Sequence, residues 1–190
     1  MKRIYFIPAL LVLSALIVFT GCKKKDTTDA GSAFTIGQSY QGGVVAYVLK
    51  SGDPGYDQSV AHGLIAATND VGTSTQWYNG NYVATSTSTA LGTGNANTNA
   101  IVSTQAAGNY AAKICADYSI NGYSDWYLPS KDELNKLYLS KDLIGGFMAM
   151  AYWSSSQSDN NKAWKQFFSN GNQFADSKAT TLYVRCIRSF

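Results

Sequence analysis

Two apolar segments near the start of the folded region have the pattern of β-strands. Residues 44–49 form an unbroken apolar run with several β-branched side chains, which predicts a buried strand. Gly52, Pro54 and Gly55 then mark a turn, and residues 64–67 form a second short apolar run. This order predicts a β-hairpin.

The middle of the chain changes to a helical period. Within residues 100–118, apolar side chains recur at positions 111, 114, 115 and 118, which places Cys115 on the buried face of one long helix. Residues 97–99 supply three candidate N-caps for this helix. Gly108 weakens its middle by about 1 kcal/mol relative to alanine.

A second helix begins at a strong local signal. The apolar run at residues 126–128 is ended by Pro129, and Ser130 can then accept a hydrogen bond from a backbone N–H as an N-cap. Glu133, three residues later, can bond the Ser130 N–H in return. The spacing predicts a capping box and a helix that ends near residues 145–146.

Strand patterns dominate the last third. In the final segment, Leu182, Val184, Cys186 and Arg188 share one face of a predicted strand. The predicted strands cover residues 152–156, 163–168, 173–175 and 182–188, with an Asn-Gly turn at residues 170–171. The element order predicts an α+β fold with strands first, two helices in the middle and a strand meander at the end.

The first 33 residues have a different composition. A basic start and an apolar run that ends at Cys22 resemble a bacterial lipoprotein signal, which predicts a signal peptide over residues 1–21 and lipidation of Cys22. Residues 22–33 then form a flexible tether, and residues 34–190 the domain. A plain membrane anchor is the alternative, but the apolar run is shorter and more interrupted than the roughly 20 residues a span needs. We expect a lipid-anchored protein of the bacterial cell envelope, in the outer membrane.

The charge balance gives no basis for binding nucleic acid. The chain has 15 Lys and Arg residues and 12 Asp and Glu residues, of which five basic and two acidic ones precede residue 34. The domain therefore holds ten of each and is formally neutral. Only 14% of residues are charged, while aromatic and uncharged polar residues are abundant, a composition that suits contact with sugars or other surfaces.

Catalysis is not indicated, and we expect no enzyme and no cofactor. His62 is the single histidine, and the serines at 154–156 lack the Gly-x-Ser-x-Gly elbow of a serine hydrolase. Calcium would need several oxygen ligands that converge on one site. The only such group in the final third is Asp159, Asn160, Asn161 and Asp176, which turn chemistry explains equally well, so no metal site is predicted.

Cys115 and Cys186 are the cysteines that remain after Cys22. In an exported domain two thiols most simply pair, because disulfides persist outside the cytosol. The predicted helix and the predicted final strand could bring the two together. Two separate buried thiols are the alternative.

Several sequence blocks together resemble the Lcl C-terminal domain family, long known as a domain of unknown function. The resemblance covers nearly all of residues 37–190. It is carried by Gly42-Gly43-Val44-Val45-Ala46-Tyr47, by Gly92-Thr93-Gly94 with Asn97-Thr98, by Gly122-Tyr123-Ser124-Asp125-Trp126-Tyr127-Leu128-Pro129-Ser130 with Glu133-Leu134, by Tyr152-Trp153-Ser154-Ser155-Ser156, and by Val184-Arg185-Cys186-Ile187-Arg188-Ser189-Phe190.

The resemblance implies a C-type lectin-like fold, with two helices flanking small antiparallel sheets, long loops and nearby termini. It also implies a disulfide from the first helix to the last strand, in agreement with pairing of Cys115 and Cys186. Members of the family are found at cell surfaces. The collagen-like bacterial adhesin that gives the family its name adheres to sulfated polysaccharides, and its collagen-like repeats are absent here. An enzyme of the sulfatase-modifying type, which shares the lectin-like fold, and a purely structural envelope protein are the alternatives.

A binding site is predicted on the long loops. Residues 69–97 form a long polar segment with an aromatic cluster, and such loops are often functional. We expect these aromatics and a polar turn to bind an extracellular polysaccharide or protein, although Trp77 could instead anchor the loop on the core. Among the aromatic candidates, Trp164 is expected to be the most buried. The candidate residues are Trp77, Tyr78, Tyr82, Asp159, Asn160, Asn161 and Trp164.

Overall fold

The computed structural model describes Met1 and residues 34–190, and these form an α+β fold with two small sheets. The predicted signal peptide, Cys22 and the tether therefore lie outside the described residues. Among residues 34–190, no helix is long and apolar enough to span a membrane. The elements in chain order are β1 Ser39–Tyr40, β2 Gly43–Val48, β3 Gly63–Ala66, β4 Gly72–Thr75, α1 Gly94–Gln105, α2 Ala111–Ala116, α3 Lys131–Leu139, α4 Lys141–Ile144, β5 Ala151–Gln157, β6 Lys162–Phe167, β7 Gln173–Ser177, β8 Leu182–Val184 and β9 Ile187–Ser189.

The first sheet has the strand order β1-β2-β3-β9 and is antiparallel throughout. Its β2–β3 pair confirms the predicted hairpin, with a register irregularity between Val45 and Tyr47. The end of the chain returns to this sheet, because β9 pairs with β3. Phe34 and Phe190 also pack together, with ring centroids 4.7 Å apart, so both ends of the described domain meet.

The second sheet has the order β4-β8-β5-β6-β7, and one of its pairings differs from the antiparallel prediction. Strands β5 and β8 are parallel, with Tyr152 opposite Tyr183. The hairpin of β6 and β7 forms as the Asn-Gly turn predicts. Strands β5, β6 and β7 of this sheet support the candidate site described below.

The single strand predicted over residues 182–188 is wrong. The chain leaves the second sheet after Val184 and enters the first sheet at Ile187, so its two halves belong to different sheets. Arg185 and Cys186, which lie between the two strands, are both fully buried. In one continuous strand, two successive side chains would point to opposite faces of the sheet. Here both side chains are buried, because the chain crosses between the two sheets at this point.

The long helix predicted over residues 100–118 is also wrong, and the described residues hold four helices instead of two. Helix α1 begins earlier than expected, and Ala106 ends it with a positive φ of 60°. A side chain at Gly108 would meet the Asn79 Cβ at 2.9 Å, so the connection to α2 requires glycine at this close approach. Asn97 is not a cap but lies inside α1, where its side-chain amide bonds the backbone of Ser88.

The start of α3 agrees with the prediction. The Ser130 hydroxyl accepts from the Glu133 N–H at 3.2 Å, and Glu133 Oε2 accepts from the Ser130 N–H at 2.7 Å. The Glu133 carboxylate is fully buried, and its burial raises the pKa of this group against the lowering effect of these hydrogen bonds. After α4 the helical region ends at Gly145, as expected.

A disulfide joins the helical region to the crossing between the two sheets. Cys115 of α2 and Cys186 are bonded, with a Cα–Cα distance of 5.4 Å, and both are fully buried. The pairing is therefore confirmed, and the alternative of two separate thiols is wrong. Around the bond lies a core that includes Trp77, Trp126 and Trp153.

Candidate functional site

Trp77 attaches the long loop to the second sheet and is not available to a ligand. Its side chain is fully buried, and its indole Nε1 donates to the Ser154 carbonyl at 2.8 Å. The backbone N–H of Trp77 also donates to the Lys178 carbonyl at 3.0 Å. Trp77 therefore anchors the loop on the core, and its prediction as a ligand contact is wrong.

Tyr78 and Tyr82 follow this anchor in the chain and form a tilted aromatic pair. Their ring centroids are 4.7 Å apart, with the planes tilted by 39°. Tyr78 is buried, whereas Tyr82 is 48% exposed. Tyr78 thus supports Tyr82 from below, and Tyr82 presents its ring to solvent.

The Tyr82 hydroxyl contacts the end of β7. The Tyr82 Oη lies 3.4 Å from the Ser177 Oγ. Bonds from Ser177 and Tyr78 lower the pKa of Tyr82, while the bond to Tyr82 and burial raise that of Tyr78. The paired rings and the Ser177 hydroxyl therefore form one ordered surface, which we call the Tyr82 platform.

Lys178 is the residue that holds the platform loop, and it is fully buried. Its ammonium donates to the Val83 carbonyl at 3.0 Å and to Gln157 Oε1 at 2.7 Å. The ammonium also lies 4.6 Å from the centroid of the Trp77 ring, a cation–π contact. Burial lowers the pKa of Lys178 to about 8, against the opposing attraction of Asp159.

The end of β5 completes the support of the loop. Gln157 Oε1 also accepts from the Thr85 N–H at 3.0 Å, and the Gln157 N–H donates to the Thr87 hydroxyl at 2.8 Å. Residues 83–87 are therefore tied to the second sheet by Gln157 and Lys178. Sequence reasoning missed both residues, because a lysine near the end of a strand has the same pattern as an exposed one.

The predicted polar turn lies next to the platform. Asp159 Oδ1 accepts from the N–H groups of Asn161 and Lys162, both at 2.8 Å, so Asp159 serves to close the turn. The Asn161 carbonyl accepts from the Lys178 N–H at 2.9 Å, and Lys162 pairs with Ser177. The turn and the Tyr82 platform thus share the β7 end, with Asp159, Asn160 and Asn161 exposed.

The acidic residues near the turn already have partners within the protein. Asp176 pairs with Lys165 and accepts from the Ser177 N–H. Burial, the largest single effect, raises the pKa of Asp176, but these bonds and the charge of Lys165 together lower it below its ordinary value. In the described part of the chain, no three His, Cys, Asp or Glu side chains are grouped so as to hold a metal ion. The turn contacts at Asp159 match the turn chemistry that the sequence suggests.

Trp164 is less buried than expected. It is partly exposed, and the Lys131 ammonium lies 3.8 Å from its ring centroid. The expectation that Trp164 is the most buried candidate is wrong, since Trp77 occupies the core instead. The contact of Trp164 is with the first residue of α3, whereas Tyr82 contacts β7.

The serines that could suggest a hydrolase are structural. Residues 154–156 are all buried, and the Ser154 and Ser156 hydroxyls donate to the carbonyls of Trp164 and Ser88 at 2.8 Å each. His62 Nδ1 lies 3.1 Å from the Phe190 carbonyl oxygen, at the other sheet. These contacts account for the residues as parts of the fold.

The sequence profile of the Lcl C-terminal domain matches residues 66–188, from the end of β3 into β9. This chain belongs to the Lcl C-terminal domain family. The part that matches the Lcl C-terminal domain includes the Tyr82 platform, Lys178 and the disulfide.

The solved structures similar to this chain include a fimbrial protein. A search of curated proteins finds no match. A fimbrial protein from Bacteroides ovatus ATCC 8483 is similar in structure, with 14% sequence identity and a TM-score of 0.48. The similarity covers 85% of this chain and 45% of the fimbrial protein, so the chain spans less than half of that structure.

Proposed function

We propose that this Lcl C-terminal domain protein is a non-catalytic binding protein of the bacterial cell envelope, held in the outer membrane by a lipid on Cys22. Its ligand is an extracellular polysaccharide or protein, bound at the Tyr82 platform and the neighbouring turn at residues 159–161. The observation that carries the proposal is the exposed Tyr82 ring, supported by Tyr78 and by a loop tied to buried Lys178.

The platform has the properties of a recognition surface. A tyrosine offers a large flat apolar face and loses little conformational entropy on binding, which is why such residues often dominate interfaces. Apolar C–H faces of a sugar ring can stack on Tyr82. The Ser177 hydroxyl and the side-chain amides of Asn160 and Asn161 are suited to bond the sugar hydroxyls or a peptide backbone.

The fold supports a C-type lectin-like arrangement. The disulfide from a helix to the segment before the last strand, and the contact between Phe34 and Phe190, are features that such a fold implies. The helix concerned is the second one rather than the first. The placement of the candidate site on a loop after an anchoring tryptophan agrees with recognition through long loops.

The alternative of a sulfatase-modifying enzyme finds less support. That chemistry needs a reactive cysteine or a metal bound by cysteine, and Cys115 and Cys186 form a buried disulfide. This leaves no reduced thiol within residues 34–190.

An array of glycans and matrix proteins, probed with the mature chain of residues 22–190, tests the binding proposal. We expect at least one ligand whose signal is lost in Tyr82→Ala and kept in Phe174→Ala. Phe174 is a matched control because it is 51% exposed and precedes Ser177 by three residues, on the opposite face of β7. Equal loss or equal retention in the two variants would contradict the assignment of the site.

The lipid anchor has a separate test. The unmutated full-length protein, expressed in a bacterium, should float with membranes in a density gradient, and Cys22→Ser should release it or leave it unprocessed. Recovery of the unmutated mature protein in the soluble fraction without detergent would refute the anchor and leave the binding proposal intact.

A further inference from the structure

Exposed apolar residues lie just before β5 in the chain. The Tyr82 platform is at the other end of this strand. Four large apolar side chains are exposed within the one segment of residues 139–150, and exposed apolar residues that occur in a group can mark an interaction site. We call this set the Leu143 patch. Its members and their exposures are Leu139 at 70%, Leu143 at 65%, Met148 at 54% and Met150 at 49%.

The fold leaves these residues outside because other apolar residues of the same helices already fill the core. Leu137 and Ile144 are buried, so α3 and α4 have used their inward positions. Leu139 ends α3 and Leu143 lies in α4, and both side chains are exposed. A cavity of about 320 Å³ opens beside α4 and is lined by residues that include Lys141, Phe147, Met148 and Phe168.

The start of the domain lies against the same helix. A Cβ at Gly37 would lie 2.8 Å from the carbonyl oxygen of Leu143, so the backbone at residue 37 packs directly on α4. Residue 34 follows the proposed lipidation site Cys22 by twelve positions, which can span at most about 40 Å. A membrane that holds Cys22 is therefore within reach of α4.

The patch and the binding surface lie at the two ends of β5. Met150 directly precedes this strand, and Gln157 at its other end bonds Lys178 and Thr85 of the platform loop. Seven residues of strand span about 20 Å. A domain that places the Leu143 patch toward the membrane therefore directs Tyr82 away from it.

We propose that the Leu143 patch rests on the surface of the lipid bilayer and orients the domain with the Tyr82 platform outward. The proposal rests on the lipid anchor of the proposed function. Leucine and methionine side chains enter the boundary between headgroups and acyl chains, as the apolar faces of interfacial helices do. Lys141 and Asp142 pair beside the patch, so the contact depends on apolar insertion and should change little with salt or with the content of anionic lipid.

Methionine oxidation measures this contact at the patch itself. The mature chain of residues 22–190, with Cys22→Ser and an N-terminal hexahistidine tag, is bound to phosphatidylcholine vesicles that carry a nickel-chelating lipid. Hydrogen peroxide oxidises Met148 and Met150, and mass spectrometry follows each rate. We expect both rates to fall about threefold or more relative to the same protein free in solution, because burial among headgroups shields the sulfur atoms.

Two variants separate insertion from simple proximity to the vesicle. Leu139→Asp combined with Leu143→Asp should restore the solution rate, because two carboxylates oppose insertion while the exposed positions leave the core unchanged. Val83→Asp adds a charge at the opposite end of β5, where Val83 is 36% exposed, and should keep the protection. Circular dichroism of each variant confirms that it is folded.

Equal oxidation rates on vesicles and in solution would overturn the proposal. Protection that arises without vesicles and grows with protein concentration would also overturn it, since a second copy would then cover the patch. The lipid anchor is read independently by flotation of the unmutated protein. If flotation fails and the tethered chain is still protected, the anchor is wrong and the membrane contact of the patch stands.

Discussion

Arg185 is the buried residue at which the chain passes from the second sheet to the first. Its side chain is fully buried and bonds the Asp70 carboxylate at 2.8 Å. It also donates to four backbone carbonyls, and its guanidinium carbon lies 4.0 Å from the Phe147 ring centroid. The side chain thus connects the segment between β3 and β4, the loop after α4 and the crossing between β8 and β9.

Replacing Arg185 with leucine should be strongly destabilising. Asp70 would keep only a 2.9 Å bond from the Tyr152 hydroxyl among its side-chain partners, with 9% of its side chain exposed. Removal of one member of a buried ion pair costs about 3–5 kcal/mol, because the remaining charge stays buried without compensation. Arg185→Lys should cost less, since an ammonium keeps the charge and three of the donors.

Urea unfolding of the oxidised protein measures this cost. Arg185→Leu, Asp70→Asn and the double variant form a cycle, for which we expect a coupling of about 0.5–3 kcal/mol. Lys113→Leu is the surface control, because the Lys113–Asp117 pair is exposed and should contribute less than about 1 kcal/mol. A loss below about 1 kcal/mol for Arg185→Leu, or strictly additive effects, would refute the role given to Arg185.

Two further predictions concern the disulfide and the buried lysine. Cys115→Ala with Cys186→Ala should lower the free energy of unfolding by roughly 4 kcal/mol, because the disulfide closes a loop over a separation of 71 residues. Urea unfolding measures this loss, and a loss below about 1 kcal/mol would contradict the prediction. The folded-state pKa of Lys178 is about 8 against 10.5 for an unperturbed lysine, so between these values the unfolded chain binds more protons and stability rises with pH. Relative to Lys178→Met, the unmutated protein should gain about 2 kcal/mol between about pH 7.5 and 9.5 in urea unfolding, and identical pH dependence of the two would contradict this.

The parts of the fold that depend on neighbouring residues could be predicted from the sequence. The Ser130–Glu133 capping box and the β2–β3 hairpin each involve interactions within one short segment, and both form as expected. The break at Arg185 could not be predicted, because its partner Asp70 lies 115 residues earlier in the chain. The division of the central helix depends in the same way on the packing of Gly108 against Asn79.

Whether the candidate residues bind a ligand stays a prediction, but the structure shows where each of them lies. The aromatic cluster in the long loop predicted the segment that holds the candidate site. Tyr78, Tyr82 and the turn at residues 159–161 are grouped around the end of β7. Which aromatic is buried depends on tertiary packing: Trp77 anchors the loop on the core, as the alternative for this residue states, whereas Trp164, expected to be the most buried, is partly exposed. The buried position of Lys178 carries no local signal at all.

The central claim is that the exposed ring of Tyr82 carries ligand binding. Its most direct test is a titration of the ligand found on the array with unmutated protein, Tyr82→Ala and Phe174→Ala. We expect Tyr82→Ala to raise Kd about tenfold or more, the effect of losing a contact worth at least about 1.4 kcal/mol, with a change of less than about 0.5 kcal/mol in the free energy of unfolding. Phe174→Ala should leave Kd unchanged. An unchanged Kd for Tyr82→Ala would contradict the claim, as would an increase in Kd that follows a loss of stability.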